Sequence, residues 1–364
     1  MDFSRTLIIK PSSLGDVVQA LPVLTALRES HPQAHIAWLV STAFADILRG
    51  HPRLDDVLVF DRRRFGRIGR SLGITTEFMA FIENLRRERF TAVLDLQGLF
   101  RSGFLAAATG AKTRVGFASA RELAPLFYTD AVPLPHEDLH AVDRYLALAR
   151  HVGLADPKAT DHLTVRSETR AAVRRRLQDE GLGPDEPFAV VCAYARWATK
   201  QWPAERFAEV LLRLHAETGA RGVLAGSAAA ADVGRRIGRQ TDWRPGAQPI
   251  DLSGRTTLKE MAALAAEARA MVTNDSGPMH VAAAVGTPVV AVFGPTHPDR
   301  TGPCGPGHHV LVGKAPCRPC FRRECLYSSG PQAPSTGPYG LACLLTVTAE
   351  EVARHLMEVW RAKA

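Results

Sequence analysis

The sequence predicts an α/β protein with two doubly wound parallel sheets, and three observations support this prediction. Short apolar segments alternate with amphipathic helical patterns from the first residues onward. The alternation breaks at a polar stretch, Asp156 to Val165, and then begins again. Alternating strands and helices favour a parallel sheet, and 364 residues are enough for two domains. We therefore expect one domain over residues 1–160 and a second over residues 161–348.

The predicted elements follow from the periodicity of apolar residues. The first half contains four predicted strands, at Thr6 to Lys10, His35 to Val40, Val57 to Phe60 and Ala92 to Leu96. A helix follows the first of them because Val17, Leu21 and Leu24 share one helical face. The second half contains five, at Phe188 to Ala193, Gly222 to Ala225, Pro249 to Leu252, Ala270 to Asn274 and Val289 to Phe293. A capping box of Thr348 and Glu351 predicts a closing helix over residues 349–364.

Composition limits the class of protein. With 46% hydrophobic and 23% charged residues, the chain has the composition of an ordinary soluble globular protein. The apolar segment before Lys10, Leu7 to Ile9, is too short for a signal-peptide core. No apolar run approaches the roughly 20 residues of a membrane span. We therefore expect a cytoplasmic protein, in peripheral contact with the inner membrane at most.

The basic residues are distributed unevenly. The net charge of +8 favours acidic partners. Five arginines crowd one predicted loop after the strand Val57 to Phe60, namely Arg62, Arg63, Arg64, Arg67 and Arg70. At a strand end, arginines are well placed to bind phosphate or carboxylate. No nucleic-acid motif is present and few aromatic residues lie nearby, so we expect no nucleic-acid partner.

Four of the six cysteines form a pattern near the end of the chain. Cys317, Cys320, Cys325 and Cys343 have the spacing C-x2-C-x4-C-x17-C within a cysteine-rich segment at residues 315–345. In a chain without a secretory signal, such a cluster favours metal binding over disulfides. Four thiolates suit a structural zinc or iron site. Reduced structural thiols would explain the same cysteines without a metal.

The turn from Asn274 to His280 is the strongest candidate for ligand binding. It joins a predicted strand to a helix, and ligands of open α/β sheets bind at the carboxyl ends of the strands. Backbone N–H groups and the positive end of the helix dipole favour an anion there. Asp275, Ser276 and His280 add polar side chains for a ribose or a diphosphate. A helix cap and a core histidine would account for the same residues without a ligand.

Two further turns carry polar groups at predicted strand ends. Asp16 follows the first strand and could accept a proton from a substrate hydroxyl, although from spacing alone a helix cap is the better explanation. Gly15 permits close approach of a substrate to the backbone. Lys200 precedes the helix that begins near Pro203, where an ammonium could neutralise a leaving phosphate. Most lysines, however, are simply surface residues.

Together these motifs resemble the ADP-heptose:lipopolysaccharide heptosyltransferases of glycosyltransferase family 9. The resemblance is carried by four motifs in order, Ile9 to Asp16 with Ala20-Leu21-Pro22, Asp95 to Gly98 with Arg101-Ser102, Lys200 to Pro203, and Asn274 to His280 with Ala282 to Ala284. It spans nearly the whole chain. It implies a GT-B fold, in which two Rossmann-like domains face a central cleft. The closing helix would then pack back on the N-terminal domain.

The resemblance also implies a mechanism without a catalytic metal. Asp16 would be the general base and Lys200 would stabilise the departing diphosphate, so that heptose is transferred with inversion. The donor ADP-heptose would be bound by the C-terminal domain, at Asp275, Ser276, Gly277, Met279 and His280, with Arg196 as a further contact. The lipid A–Kdo core acceptor would be bound by the N-terminal domain, at Ser13, Gly15, Gln97 and Arg101, with the arginine-rich loop gripping its carboxylates or phosphates.

The motifs leave more than one acceptor and more than one activity open. Arg121-Glu122 and Leu126 to Tyr128 resemble the enzymes that add the first heptose. The cysteine-rich segment instead resembles second-heptose enzymes and heptosyltransferases that modify proteins, in which such cysteines hold iron. A nucleotide-sugar epimerase of the same architecture and a non-catalytic ADP-binding protein are also compatible with the motifs.

Overall fold

Each half of the chain forms one six-stranded parallel sheet covered by helices on both faces. A computed structural model describes residues 1–136, 138–158, 162–240, 242–325 and 341–362. The chain divides into two compact units, Met1–Thr164 and Val165–Ala364. The division falls at the end of the polar stretch that the sequence marks as a linker, four residues after the expected boundary. No helix among the described residues has the length and apolar character needed to cross a bilayer.

The first unit has the strand order β3-β2-β1-β4-β5-β6. Its strands are β1 (Arg5–Ile9), β2 (His35–Ser41), β3 (Asp56–Phe60), β4 (Ala92–Asp95), β5 (Thr113–Phe117) and β6 (Asp130–Val132). Its helices are α1 (Leu14–Gln19), α2 (Leu21–Ser30), α3 (Ala45–Leu48), α4 (Arg62–Phe65), α5 (Leu72–Arg87), α6 (Phe100–Ala108) and α7 (Ala141–His151). The central strands are buried, apart from Arg5 at the start of β1, because helices cover both faces.

The second unit has the strand order β12-β11-β10-β7-β8-β9. Its strands are β7 (Phe188–Cys192), β8 (Arg221–Leu224), β9 (Ile250–Asp251), β10 (Ala270–Asn274), β11 (Val289–Phe293) and β12 (His309–Val312). Its helices are α8 (Ser167–Asp179), α9 (Ala204–Thr218), α10 (Ala231–Gly238), α11 (Leu258–Glu267), α12 (Gly277–Ala284), α13 (Pro298–Thr301), α14 (Ala342–Leu345) and α15 (Ala349–Ala362).

All nine predicted strands are present within one or two residues at each end, and three further strands were missed. The missed strands are β5, β6 and β12, which lie at or next to sheet edges and are only partly buried. Thr113, Arg114 and Asp130 interrupt the apolar pattern in two of them. A strand near an edge needs fewer apolar residues, so its periodicity is weaker.

Each sheet has one point where the strand order reverses. In the first sheet it lies between β1 and β4, which pair in parallel with Ile9 opposite Asp95. In the second sheet it lies between β7 and β10, with Thr273 opposite Cys192. Loops leave such a pair of strands in opposite directions, which opens a crevice at their carboxyl ends. These two crevices are therefore where ligands are expected.

The closing helix α15 belongs to the second unit. Its apolar stripe, Val352, Leu356 and Trp360, is buried in one core cluster with Phe207 and Leu211 of α9. Thr348 and Glu351 form the predicted capping box through hydrogen bonds of 2.9 and 3.2 Å. The stripe is therefore buried by α9 and the adjoining sheet face of its own unit, and packing of the closing helix on the N-terminal domain stays a prediction.

Candidate functional site

Asp16 lies in the first turn of α1, just after the central strand β1. The backbone N–H and the Oγ of Ser13 both donate to Oδ2 of Asp16, at 2.9 and 2.6 Å. The carboxylate thus closes a capping box, although its side chain is 40% exposed. Its other oxygen, Oδ1, faces Lys10 and Tyr145. The two explanations that the sequence left open are compatible, because Oδ2 caps the helix while Oδ1 faces Lys10 and Tyr145.

A buried ammonium group lies behind that carboxylate. Nζ of Lys10 donates to the carbonyl of Leu96 at 3.0 Å and lies 3.9 Å from Oδ1 of Asp16. It also lies 4.9 Å from the ring centre of Tyr145. Burial lowers the pKa of Lys10, and the charges of Asp16 and Asp95 oppose that shift. Lys10 therefore places a positive charge where it favours the ionised form of Asp16.

Asp95, at the end of β4, organises the neighbouring loop. Its Oδ2 accepts from the hydroxyl of Tyr128 at 2.7 Å, and its Oδ1 accepts from the N–H groups of Gln97 and Gly98 at 2.9 and 3.2 Å. Burial raises the pKa of Asp95, and these hydrogen bonds oppose the shift. Burial and the Asp95 carboxylate raise the pKa of Tyr128, which keeps its proton. Asp95 therefore holds the loop that carries Gln97.

Four residues of the first unit are the predicted acceptor contacts. Ser13 and Gln97 follow the adjacent strands β1 and β4, so they lie at the same sheet edge. Oε1 of Gln97 is buried and has no hydrogen-bond partner in the described part of the chain. Gly15 is buried in the first turn of α1. Arg101 is exposed on α6, with its guanidinium 6.0 Å from the ring centre of Phe60.

The arginine-rich stretch after β3 begins with a short helix, α4, which corrects the prediction of a loop. Asp61 caps this helix, since its Oδ1 accepts from the N–H groups of Arg63 and Arg64 at 3.0 and 2.9 Å. Arg64 forms a bidentate pair with Glu77, with distances of 2.5 and 2.6 Å. Arg62 and Arg63 are exposed. The stretch therefore presents Arg62, Arg63, Arg67 and Arg70 to solvent, beside Arg64, whose charge Glu77 balances.

In the second unit, the crevice between β7 and β10 contains an ion pair. Nζ of Lys200 lies 2.5 Å from Oδ2 of Asp275, and the two side chains are 17% and 4% exposed. The same oxygen accepts from the Oγ1 of Thr296 at 2.5 Å. Asn274 ties the two loops together, because its Oδ1 accepts from the N–H of Trp202 at 3.0 Å. The structure thus brings Lys200 and Asp275, two predicted site residues, into direct contact.

The rest of the turn leads into α12. Ser276 precedes the helix and Gly277 is its first residue. The Oγ of Ser276 is buried and makes no hydrogen bond within the described residues, so it can serve an anion at this helix end. His280 is buried one turn further on. Met279 is fully buried in the apolar core, so its predicted contact with a nucleotide is not supported.

Two cations lie near one aromatic ring in the loop after β7. Nζ of Lys200 is 4.8 Å from the ring centre of Trp197. The guanidinium carbon of Arg323 is 5.3 Å from the same ring centre. Arg196, the predicted further donor contact, is exposed in this loop. The crevice of the second unit is therefore strongly positive around its buried Asp275.

The four cysteines predicted to hold a metal are neighbours, but they are not gathered into a tight set. Cys317, Cys320 and Cys325 are partly buried, and Cys343 is buried on α14. Burial and the other three thiols raise the pKa of Cys343 to about 11, which places all four within electrostatic range. Among the described residues, no three of these sulfur atoms lie within 4.8 Å of one another.

A different group of ligand-type side chains meets between β12 and α15. Suitable atoms of His309, His355 and Glu358 lie within 4.8 Å of one another. Arg354 donates to Nε2 of His355 and to Glu358, both at 3.1 Å. An arginine can only donate, so Nε2 of His355 carries no proton and Nδ1 donates to Glu358 at 2.9 Å. The guanidinium of Arg354 thus already places a positive charge beside these three side chains.

Three residues of the two crevices were not among the predicted site residues. They are Lys10, Tyr145 and Thr296. A lysine directly after the apolar run Leu7 to Ile9 is a signal that could have identified Lys10, because lysines are rarely buried. Tyr145 and Thr296 reach the crevices from α7 and from the loop after β11, and no local pattern identifies them.

Comparison with known proteins agrees with this architecture. The model of glycosyltransferase family 9 (heptosyltransferase) matches residues 78–329. Lipopolysaccharide heptosyltransferase 1 of Pseudomonas aeruginosa is 32% identical over 327 residues, which cover 89% of this chain and 88% of that protein. The structure of Escherichia coli ADP-heptose lipopolysaccharide heptosyltransferase II superposes with a TM-score of 0.79 at 25% identity, over 99% of both chains.

A second solved structure, Escherichia coli heptosyltransferase WaaC with ADP, superposes with a TM-score of 0.75 at 27% identity, over 98% of this chain and 99% of that one. The family model and the relative from Pseudomonas each cover well over half of the chain. Both solved structures match its two parallel sheets. The chain therefore belongs to glycosyltransferase family 9, the lipopolysaccharide core heptosyltransferases, and is a glycosyltransferase with the GT-B fold.

Proposed function

We propose that this enzyme transfers heptose from ADP-heptose to the inner core of lipopolysaccharide, with inversion at the anomeric carbon. One observation supports the proposal most strongly: the crevice of the first unit contains a candidate base, and the crevice of the second unit contains a cation for the leaving group. Asp16 offers a carboxylate on a partly exposed side chain in the first unit. Lys200, held by Asp275, offers an ammonium in the second. A displacement with a phosphate leaving group needs both a base and a cation.

The reaction is a single displacement. Oδ1 of Asp16 takes the proton of an acceptor hydroxyl as that oxygen forms a bond to the anomeric carbon. The bond between this carbon and the phosphate oxygen breaks, and its electron pair leaves with ADP. The attack comes from the face opposite ADP, so the configuration inverts. Lys200 neutralises the charge that develops on the diphosphate, and no step is assigned to a metal ion.

The donor is assigned to the second unit. The N-terminus of α12, with Gly277 and the unbonded Oγ of Ser276, is suited to a phosphate. Asp275 acts chiefly by holding Lys200, since both of its contacts are internal. His280 and Arg196 are assigned to the ribose and the diphosphate. The relatives named for ADP-heptose and solved with ADP support this choice of nucleotide.

The acceptor is assigned to the first unit. Gln97 offers a buried Oε1, unbonded within the described residues, to a sugar hydroxyl. Ser13, Gly15 and Arg101 complete the pocket. The exposed Arg62 and Arg63 bind carboxylates or phosphates of the lipid A–Kdo core. The same positive surface would meet anionic lipid of the cytoplasmic leaflet, which makes the proposed location cytoplasmic and peripheral.

The proposal is tested by ADP release from ADP-heptose, with and without Kdo2-lipid A or its deacylated form. Release that depends on this acceptor supports addition of the first heptose. Release only with an already heptosylated core assigns the second heptose, and release only with a protein substrate assigns protein modification. Consumption of ADP-heptose without any acceptor, or binding of ADP with no turnover on any acceptor, would contradict heptose transfer.

We also propose that the four cysteines hold a structural zinc or iron ion. The support is the spacing of the cysteines and the mutual influence of their thiols, which together fit a four-sulfur donor set. The sulfur atoms would have to move closer than they lie here. Metal analysis of protein purified without chelator should give one ion per chain, and Cys343→Ser should lose it. Absence of zinc and iron from the wild type would leave the cysteines as reduced structural thiols.

A further inference from the structure

The cysteine-rich segment contacts the donor crevice of the second unit through its backbone. The Oγ1 of Thr199 donates to the carbonyl of Arg322 at 2.7 Å. Thr199 is 3% exposed and immediately precedes Lys200. The N–H of Phe321 donates to the carbonyl of Pro295 at 2.9 Å. The segment is thus fastened to the loop after β7 and to the loop after β11.

Arg318 strengthens the second of these attachments. Its guanidinium donates to the carbonyls of Gly294, Thr296 and Gly313, with distances of 2.7 Å to Thr296 and 3.1 Å to Gly313. Thr296 in turn donates through its Oγ1 to Asp275. These three carbonyl acceptors on one guanidinium link the segment to the loops after β11 and β12. Thr296 therefore connects the segment to the carboxylate of Asp275, which holds Lys200. A change in the position of the segment would shift Thr296 and, through it, Asp275.

The segment also brings a second positive charge to the crevice. Arg323 and Lys200 lie 5.3 and 4.8 Å from the ring centre of Trp197. The ring attracts each cation, but the two cations repel each other. Such an arrangement is most favourable when one anion binds both cations and balances their charges. Asp275 is already bonded to Lys200 and Thr296, so the anion that fits is an external one.

We propose that the segment Cys317 to Cys325 is part of the donor site and that Arg323 is a second binding residue for the donor diphosphate. This rests on the proposed function, since it assigns ADP-heptose to this crevice. The threonine hydroxyl that precedes Lys200 is bonded to the segment and is not available to phosphate. Arg323 offers a guanidinium on the same segment, a group that binds phosphate through two parallel hydrogen bonds. Thr199 acts as a positioning residue that anchors the segment.

The test is the affinity for ADP itself, measured by calorimetry. Arg323→Ala should weaken ADP binding about tenfold, and Arg323→Lys should recover part of the loss. The matched control is Arg322→Ala, which removes the same charge one residue away, where only the backbone carbonyl contacts Thr199. Both arginines are exposed, so neither change threatens folding. Equal ADP affinity for the two alanine variants would overturn the role of Arg323.

The anchoring role has its own pair of variants. Thr199→Val keeps the shape and removes the hydroxyl, whereas Thr199→Ser keeps the hydroxyl. We expect Thr199→Val to raise the KM for ADP-heptose severalfold with no change in the KM for the acceptor, and Thr199→Ser to restore it. Equal rises in both KM values would show a general structural effect and would contradict the proposal. A wild-type enzyme that does not bind ADP would instead refute the donor assignment itself.

Discussion

Nζ of Lys200 lies 2.5 Å from Oδ2 of Asp275, at the point where the strand order of the second sheet reverses. Asp275 is 4% exposed, and its carboxylate also accepts from the hydroxyl of Thr296. A hydroxyl carries no net charge, so the carboxylate depends on Lys200 for its charge balance. In the proposed reaction Lys200 must also contact the leaving diphosphate. The same lysine therefore contributes both to the stability of the unit and to catalysis.

Removal of the ammonium should separate these two effects. Lys200→Met leaves a buried carboxylate without a counter-ion, which costs about 3–5 kcal/mol of stability. It should also lower turnover about 100-fold, because the leaving diphosphate loses its cation. The double variant Lys200→Met with Asp275→Asn should recover the thermal midpoint but not the turnover. The control is Lys112→Met, an exposed lysine of the first unit.

Thermal midpoints and turnover of these variants and the wild type decide the question. A double variant that regains turnover together with its midpoint would show that Lys200 acts only through folding. Turnover of Lys200→Met close to wild type would remove Lys200 from the mechanism.

Asp16 should prove essential for turnover but not for stability. Asp16→Asn keeps an oxygen to accept from the backbone N–H and the Oγ of Ser13, so the capping box survives. It loses the ability to take a proton, and we expect turnover to fall by about 10²- to 10⁴-fold. The thermal midpoint should fall by only a few degrees, because Asp16 is partly exposed and the buried Lys10 keeps the charge of Asp95 and its hydrogen bond to Leu96.

The matched control for this change is Asp143→Asn. Asp143 is also an acidic residue in the first turn of a helix, α7, and it is exposed. Its loss should leave turnover unchanged. Near-normal turnover of Asp16→Asn would assign the proton transfer to another group.

The architecture could be predicted well from the sequence because both sheets have fully buried central strands. β1, β7, β10 and β11 are almost continuous apolar runs, and such runs are visible without any tertiary information. β6 and β12 were missed because an edge strand has one side without a neighbour and tolerates polar residues. The missed strands do not carry site residues.

The sites were predicted less completely than the sheets. Asp16, Lys200 and Asp275 were identified because they follow strands closely, but the bond between Lys200 and Asp275 joins residues 75 positions apart in the chain. The environment of Asp16 depends on Tyr145 from α7. The apolar stripe on α15 packs on α9 of its own unit, and the sequence does not specify which apolar surface the stripe will contact. None of these relationships leaves a periodic pattern in the sequence.

Lys10 should set the pH range of the reaction. Its ammonium, 3.9 Å from Oδ1 of Asp16, favours the ionised carboxylate. In Lys10→Met the carboxylate keeps its proton to higher pH, so the acid limb of the kcat/KM profile should move up by about one pH unit. Burial lowers the pKa of Lys10 from its ordinary 10.5. At alkaline pH the carboxylate of Asp16 is ionised with or without that charge, so the two profiles should converge there.

The measurement is kcat/KM with ADP-heptose against pH for the two proteins. The shift of the acid limb is the readout that a purely structural role would not produce. An unchanged profile with a uniformly lower rate would mean that Lys10 only supports the fold around Leu96.

Arg62 and Arg63 should govern acceptor binding. Both are exposed and neither forms an ion pair within the described residues, whereas Arg64 is paired with Glu77 in the same short helix. Replacement of Arg62 and Arg63 by alanine should raise the KM for Kdo2-lipid A about tenfold, since charges at the edge of a binding surface contribute mainly to encounter. The KM for ADP-heptose should not change, because the donor is assigned to the other unit.

Arg64→Ala is the internal control, since Glu77 already balances its charge, and its effect on the acceptor KM should be small. Added salt should raise the acceptor KM of the wild type more than that of the double variant, because screening acts on the charges that the variant lacks. Steady-state kinetics at two salt concentrations are sufficient. An acceptor KM that is insensitive both to salt and to loss of Arg62 and Arg63 would place the acidic groups of the acceptor elsewhere on the first unit.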